Sequence, residues 1–314
     1  MLIGLAVWSY RMFNPGDRHL YLNFDSGHGH GYLYYEDGLW TRYLPLERQY
    51  EVTLYYADLS PDGSKIAFKK DSFLYIHNLH SNALVRLNAE PNYPSDNTSV
   101  QWSLDGSRIG FACSLTYEAP IEVCSWDVIK GEMQILSDLQ AYGKYDALYF
   151  GGWSADAKTI AFIILYPEDR SGNRLQRILR LDTDTGTVST VLDSQQAGLD
   201  VDRNIALSPD GRTILFSANT LLEEQAKDYL YALYQINSDG SGLRRLVDLD
   251  RWSLFLPVWS PDGRSFYVNA AGDYGLIPHG YFHMIPRRYD LSGRLTSIPI
   301  SQLGRIMLSW RSAE

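Results

Sequence analysis

The sequence predicts an all-β protein, a six-bladed β-propeller of four-stranded antiparallel blades whose ring is closed by N- and C-terminal strands in one shared blade. Three observations carry this expectation. A ten-residue phrase recurs along the chain, each copy is followed by two more strand-like segments, and the two chain ends carry the fragments of one further unit.

The phrase reads LSPDGSKIAF from Leu59, WSLDGSRIGF from Trp102, WSADAKTIAF from Trp153, LSPDGRTILF from Leu207 and WSPDGRSFYV from Trp259. Successive copies stand 43 to 54 residues apart. A frayed copy, FNPGDRHLYL, starts at Phe13, and the chain ends in LSWRS around Trp310. Ser-Pro-Asp-Gly is turn chemistry: proline presets φ, aspartate suits the second central position, and glycine takes the left-handed conformation that re-enters a strand. The residues after it alternate in the manner of a half-buried strand, so the phrase encodes a strand–turn–strand hairpin. Leu104 replaces the proline, which the turn tolerates. Ala157 replaces the glycine, at a cost of about 1 kcal/mol if φ is positive there. The remaining two strands of a unit are exemplified by YLYALYQI and LRRLVDL around the turn NSDGSG. Four strands per repeat fit a propeller blade, whereas a stacked solenoid would need capped ends.

Blades two to six are expected to start near Glu51, Val100, Leu148, Ile205 and Leu254. Blade one takes HLYLNF, GYLYYED and TRYLPL from the head of the chain and GRIMLSW from its tail. Residues 1–314 then form a single propeller domain. Residues 1–12 are either an extra strand or the remnant of an anchor or leader, since the apolar stretch Leu2–Trp8 is too short to span a membrane and lacks a signal peptide's basic start and cleavage site.

Trp259-Ser260-Pro261-Asp262-Gly263 and Ser238-Asp239-Gly240-Ser241-Gly242-Leu243-Arg244-Arg245-Leu246 resemble the WD-like repeat of TolB-type propellers, over nearly the whole chain. That resemblance implies the fold and a role as a scaffold between proteins in the bacterial cell envelope. The same repeat also builds the propellers of prolyl-oligopeptidase-like peptidases and of some polysaccharide lyases, so the fold alone does not choose a function.

Composition narrows the choice. The chain of 314 residues is 45% hydrophobic and 21% charged, with 23 Tyr and a formal net charge of −9. No basic cluster offers itself to a phosphate backbone, which argues against nucleic acid as a partner. No run of eighteen apolar residues is present to span a membrane. G-x-S-x-G, phosphate-loop and dinucleotide patterns are missing, which argues against a complete prolyl-oligopeptidase-type hydrolase and against nucleotide chemistry.

The ring sorts the loops onto two faces. The Ser-Pro-Asp-Gly turns make one face short, regular and structural. The opposite face carries the long, dissimilar loops LYPEDRSGNRLQ, SANTLLEEQAKD and NAAGDYGLIPHG, together with the aromatics Tyr93, Tyr142, Tyr145 and Trp252 as candidate ligand-binding residues. Some of these rings pack between blades under the plainer reading. His28 and His30 in GHGHG and His279 and His283 in PHGYFH fall in the loops of blades one and six, neighbours around a closed ring. Imidazoles so spaced are able to hold Zn, Mn or a similar divalent ion. The lyases that share the repeat use a His-rich metal site, although solvated loop histidines are the simpler account. Cys113 and Cys124 flank the loop SLTYEAPIEV. Symmetric pairing about that loop sets Cys113 opposite Cys124 and Phe111 opposite Trp126, as a cross-strand disulfide or as two buried thiols. With the N-terminal segment, a disulfide favours an extracytoplasmic or cell-envelope location.

Three functions follow as alternatives. The first is a non-catalytic propeller that binds a protein, peptide or glycan on its variable face, without a cofactor. The second is a metal-dependent polysaccharide lyase or hydrolase using the histidines. The third is an accessory propeller for a separately encoded peptidase.

Overall fold

In the computed structural model, the structure describes residues 18–25, 30–37, 40–44, 57–70, 72–88, 99–114, 119–169, 174–220, 231–249, 252–272, 283–298 and 305–311; for 18–44, 283, 284 and 305–311 only the backbone is described. Residues 1–12 lie outside this set.

The chain opens with strands β1 (Arg18–Asp25), β2 (His30–Asp37) and β3 (Trp40–Leu44). Blade I follows as β4 (Asp58–Leu59), β5 (Lys65–Lys70), β6 (Phe73–Asn78) and β7 (Leu84–Arg86). Blade II is β8 (Val100–Trp102), β9 (Arg108–Cys113), β10 (Glu122–Asp127) and β11 (Glu132–Ile135). Blade III is β12 (Ala147–Trp153), β13 (Thr159–Glu168), β14 (Arg174–Asp182) and β15 (Val188–Asp193). A one-turn helix α1 (Ser194–Ala197) leads into blade IV: β16 (Leu199–Leu207), β17 (Thr213–Thr220), β18 (Ala232–Asn237) and β19 (Arg244–Val247). Blade V is β20 (Trp252–Trp259), β21 (Ser265–Gly272), β22 (His283–Asp290) and β23 (Leu295–Ser297), and β24 (Arg305–Arg311) ends the chain.

The expectation of six blades is corrected here. Five four-stranded blades, not six, are built from contiguous chain; the remaining four-stranded sheet, ordered β24-β1-β2-β3, is a composite of the two chain ends. The physical reason is that this sheet contains no Ser-Pro-Asp-Gly hairpin. Its first two strands come from opposite ends of the chain and are joined by backbone pairing rather than by a hairpin turn, from Arg18 opposite Arg311 to Asn23 opposite Arg305. The innermost strands contact one another in the cycle β4, β8, β12, β16, β20, β24 and back to β4, so the ring is closed.

All five phrases form the same turn. The serine hydroxyl donates to the aspartate Oδ1 at 2.6 Å in Ser60–Asp62, Ser103–Asp105, Ser154–Asp156, Ser208–Asp210 and Ser260–Asp262. The serine oxygen also accepts the amide five residues ahead, and the aspartate accepts the amide two residues ahead. Desolvation opposes ionisation of Asp62, Asp105 and Asp262, but these hydrogen bonds outweigh it. Asp62 is held down to about 2, and Asp105 and Asp262 lie below the ordinary carboxylate range. The Ser154 hydroxyl is the main cause of the same lowering at Asp156. A carboxyl depressed by folding stabilises the protein above its unfolded pKa, and that stabilisation disappears as pH falls through the folded value. The urea midpoint is therefore expected to drop steadily from about pH 4 towards pH 2; a midpoint unchanged across that window contradicts the account.

Ala157 adopts φ 55°, as its place in the turn requires. Its carbonyl is fixed by the Thr183 hydroxyl at 2.9 Å, so the backbone keeps this conformation. Ala157→Gly is expected to raise stability by about 1 kcal/mol in equilibrium denaturation; an unchanged or lowered value would be evidence against strain at this turn.

The core is a series of joints between blades. Phe162, Ile164, Leu179 and Phe150 pack with Ala112 and Val123 between blades II and III, and Ile163, Ile178 and Tyr149 pack with Ile214, Phe216 and Tyr234 between III and IV. Hydrogen bonds also stitch the inner strands together across the joints. The Ser99 hydroxyl bonds both N and O of Phe150, and the indoles of Trp153 and Trp259 donate to the carbonyls of Gln101 and Ala206. The inner strands of blades III to V depart from regular pairing at one level, near Gly151, at Asp202–Asn204 and at Leu256–Pro257.

Candidate functional site on the variable face

The hairpins β1–β2, β13–β14, β17–β18 and β21–β22 all turn on the face opposite the Ser-Pro-Asp-Gly turns, as do the links between blades. Strands β13 and β14 are the longest such pair, and Glu168 opposite Arg174 marks the end of their pairing. Charge supports this tip, with Arg174 lying 3.3 Å from Glu168 and 3.9 Å from Asp146.

At the base of that hairpin the Tyr166 hydroxyl donates to the Tyr142 carbonyl and accepts from Arg177 Nη1, both at 2.8 Å. The Arg177 guanidinium also lies 5.1 Å from the Tyr166 ring centre and donates through Nε to Asp193 at 2.9 Å. Asp193 caps α1 by accepting the Gln196 amide, which directs the chain into β16. Tyr145 is buried between blades II and III with its hydroxyl on the Ile121 carbonyl. Burial, helped by the nearby Glu122 carboxylate, pushes that phenol up. Glu122 itself is raised by desolvation, despite donors from Ser137 and the Leu139 amide. Tyr145 thus serves the joint, while Tyr142 stays half-buried at its rim. Trp252 is half-buried at the start of β20 under the Arg287 guanidinium, 4.6 Å from its ring centre. Tyr93 lies outside the described residues.

A polar group at the start of β16, between blades III and IV, was not anticipated. Asp200 Oδ1 accepts from Gln176 Nε2 at 2.9 Å and Oδ2 accepts from the Tyr231 hydroxyl at 3.0 Å. Asn204 donates to Asp202 Oδ2 at 2.8 Å, and the Arg203 guanidinium stands 5.7 Å from the Tyr149 ring centre. Burial pushes the Asp202 carboxyl up, against the bonds from Asn204 and Arg203. Desolvation followed by the Asp200 charge raises Tyr231. The signal lies in the segment LDVDRNIAL, where an innermost strand carries Asp-x-Asp-Arg-Asn while its counterpart ALYFGGW is apolar. Blade IV begins at Leu199, earlier than the expected Ile205. Deeper in the channel, Asp58, Gln101, Trp102, Trp153 and Trp259 are among the residues around a cavity of about 90 Å³. By that measure it holds a few water molecules.

Among the histidines, His30 begins β2 opposite Asp25, and His283 begins β22 opposite Gly272. The topology sets both at the variable-face end of neighbouring sheets. His28 and His279 lie outside the described residues, and among the described residues no three His, Cys, Asp or Glu side chains gather as a metal group.

The cysteines correct a register. Cys113 pairs with Glu122 and Phe111 with Cys124, while Trp126 lies opposite Ile109. The hairpin closes two residues tighter than symmetric pairing about the loop, so the cysteines are diagonal neighbours on one side of the sheet. Their Cα atoms are 5.9 Å apart, the two sulfurs lie within bonding distance, and both residues are buried.

No family model matches the chain, and no curated protein does. Solved structures do. A putative TolB from Agrobacterium tumefaciens aligns with TM-score 0.58 at 15% identity, over 91% of this chain and 88% of that one. TolB from Acinetobacter baumannii aligns with TM-score 0.57 at 18% identity, over 94% of this chain and 66% of the other. An oligogalacturonate lyase from Vibrio parahaemolyticus aligns with TM-score 0.57 at 14% identity, over 91% and 74%. At these identities the likeness concerns the fold: the chain is a β-propeller similar in structure to TolB and to related propellers.

Proposed function

We propose that this protein is a non-catalytic propeller that binds a protein or peptide partner on its variable face. One contrast carries the reading. On the plain face the polar groups of the repeated turns are engaged within their own turns, whereas on the variable face charged and aromatic groups bond from strand to strand and from blade III to blade IV. The TolB-like neighbours support protein interaction as the class of function.

The test is site-specific photo-crosslinking in native cells. A crosslinker at Glu168, on the projecting hairpin, is expected to capture a defined partner. One at Ile129, exposed on a plain-face turn, should not. Equal products from both positions, or none from Glu168, contradict the proposal.

A metal-dependent lyase or hydrolase is the second reading. It is favoured by the shared face of His30 and His283 and by the fold likeness to an oligogalacturonate lyase solved in complex with manganese. Stoichiometric transition metal in purified protein, lost in the His30→Ala/His279→Ala variant, would select it over the scaffold.

The same proposal places the protein in an oxidising compartment, with Cys113 and Cys124 bonded. Denatured, unreduced protein from its native source is then expected to take up no alkylating label, and two labels per chain after reduction. Labelling without reduction would overturn this placement.

A further inference from the structure

We infer that Arg287 anchors a carboxylate-recognition site in the joint between blades IV and V, filled by an acidic side chain of the partner. This rests on the partner-binding reading above and names the chemistry its ligand carries. Register singles the residue out. In blades I to IV the same position of the second strand is Phe68, Phe111, Phe162 and Phe216, paired with Tyr75, Cys124, Leu179 and Tyr234 on the third strand. At that register in blade V, Val268 pairs with Arg287. Arg287 falls between Ile285 and Tyr289, on the side of β22 that both bury against Leu215 and Leu233 of blade IV. A permanently charged, half-buried side chain thus stands where the other blades place an uncharged one.

That charge has no counter-ion. Among the described residues no carboxylate forms an ion pair with Arg287; Asp248 pairs with Arg245 at 2.8 Å and Asp290 with Arg294 at 3.0 Å. The guanidinium is held by its stack on Trp252, 4.6 Å from the ring centre, and lies beside the Tyr289 hydroxyl, whose ionisation burial opposes and the Arg287 charge favours. Nε is buried without a hydrogen-bond partner, and Nη1 and Nη2 are not sealed in with it. A guanidinium carries five N–H donors, so one turned to Tyr289 leaves the rest of the fork. A partly buried, unpaired charge costs stability, and an anion in the joint offsets that cost. The planar fork fits a carboxylate through two parallel bonds, and one positive charge balances one carboxylate. Stacking on the indole fixes the fork before the ligand arrives. A phosphate dianion would keep a negative charge uncompensated, and a neutral ligand would leave the arginine unpaired.

The probe is N-acetyl-glutamate methylamide, with the glutamine analogue as its neutral counterpart, titrated into the whole protein and followed by NMR. Saturable shifts of the Trp252 indole signal with the glutamate compound are expected, with about tenfold weaker binding of the glutamine compound and about tenfold weaker binding to Arg287→Gln. Arg294→Gln, on an exposed plain-face turn, controls for general charge and should leave binding unchanged. The comparison of the two compounds needs only the parent protein, so it decides the matter even if Arg287→Gln does not fold. Equal binding of both compounds, binding undiminished in Arg287→Gln, or inorganic phosphate binding at one equivalent with no response to the glutamate compound overturns the inference. If the glutamate compound binds through Arg287 but Glu168 crosslinks no partner, the functional proposal falls while this carboxylate site stands.

Discussion

Replacing Asp58 by alanine is expected to destabilise the protein by roughly 2–5 kcal/mol, among the largest effects of any single substitution. Asp58 lies in the two-residue inner strand β4 and is buried. Its Oδ1 accepts the amide of Leu59 and its Oδ2 accepts the amide of Trp102, on the neighbouring blade, both at 2.9 Å. An inner strand has one edge without a partner in its own sheet, so its amides need acceptors from elsewhere. Alanine removes the acceptor and leaves both buried N–H groups unsatisfied. Asparagine keeps one carbonyl oxygen, so Asp58→Asn should lose clearly less in the same urea titration. Equal stability of the alanine variant and the parent would show that the carboxylate does not hold the joint between blades I and II.

Gly110→Ala is the second. The added Cβ would stand 2.3 Å from Phe150 Cζ, 2.6 Å from Cε2 and 2.8 Å from the Trp153 indole nitrogen. Neither ring has room to yield. Phe150 and Trp153 are buried, their ring centres are 5.7 Å apart, and the Trp153 indole is bonded to the Gln101 carbonyl. Overpacking of this kind costs about 1–3 kcal/mol, with the joint between blades II and III opening first. Quenching of tryptophan fluorescence by acrylamide should rise along with the loss of stability. A variant as stable as the parent would mean that the joint repacks freely.

The sequence was most readable where one local interaction set decides the backbone. Ser-x-Asp closes the same turn five times, even with Leu104 or Ala157 substituted, because the serine and aspartate side chains make the bonds. The pairing of the two chain ends was also legible, from the incomplete unit at each terminus. What sequence could not give was register and depth. The position of Cys124 opposite Phe111 depends on how the intervening loop closes, which spacing does not determine. Tyr145 sits in an interblade link like an exposed ring, yet the neighbouring blade buries it. The Asp-x-Asp-Arg-Asn stretch lies before the expected blade start at Ile205, because polar residues break the apolar pattern of an inner strand. Only the surrounding ring, with Gln176 from blade III and Tyr231 from blade IV, gives it hydrogen-bond partners.

The architecture rests on backbone pairing between the chain ends, since that pairing sets the blade V and composite hairpins side by side on one face. Nitroxide labels at Asn23→Cys and Arg305→Cys, positions paired across β1 and β24, test it by electron paramagnetic resonance, with the singly labelled proteins as references. Paired strands hold such Cα atoms about 5 Å apart, so strong dipolar broadening is predicted. A spectrum equal to the sum of the two single-label spectra would mean an open ring, and would contradict the account.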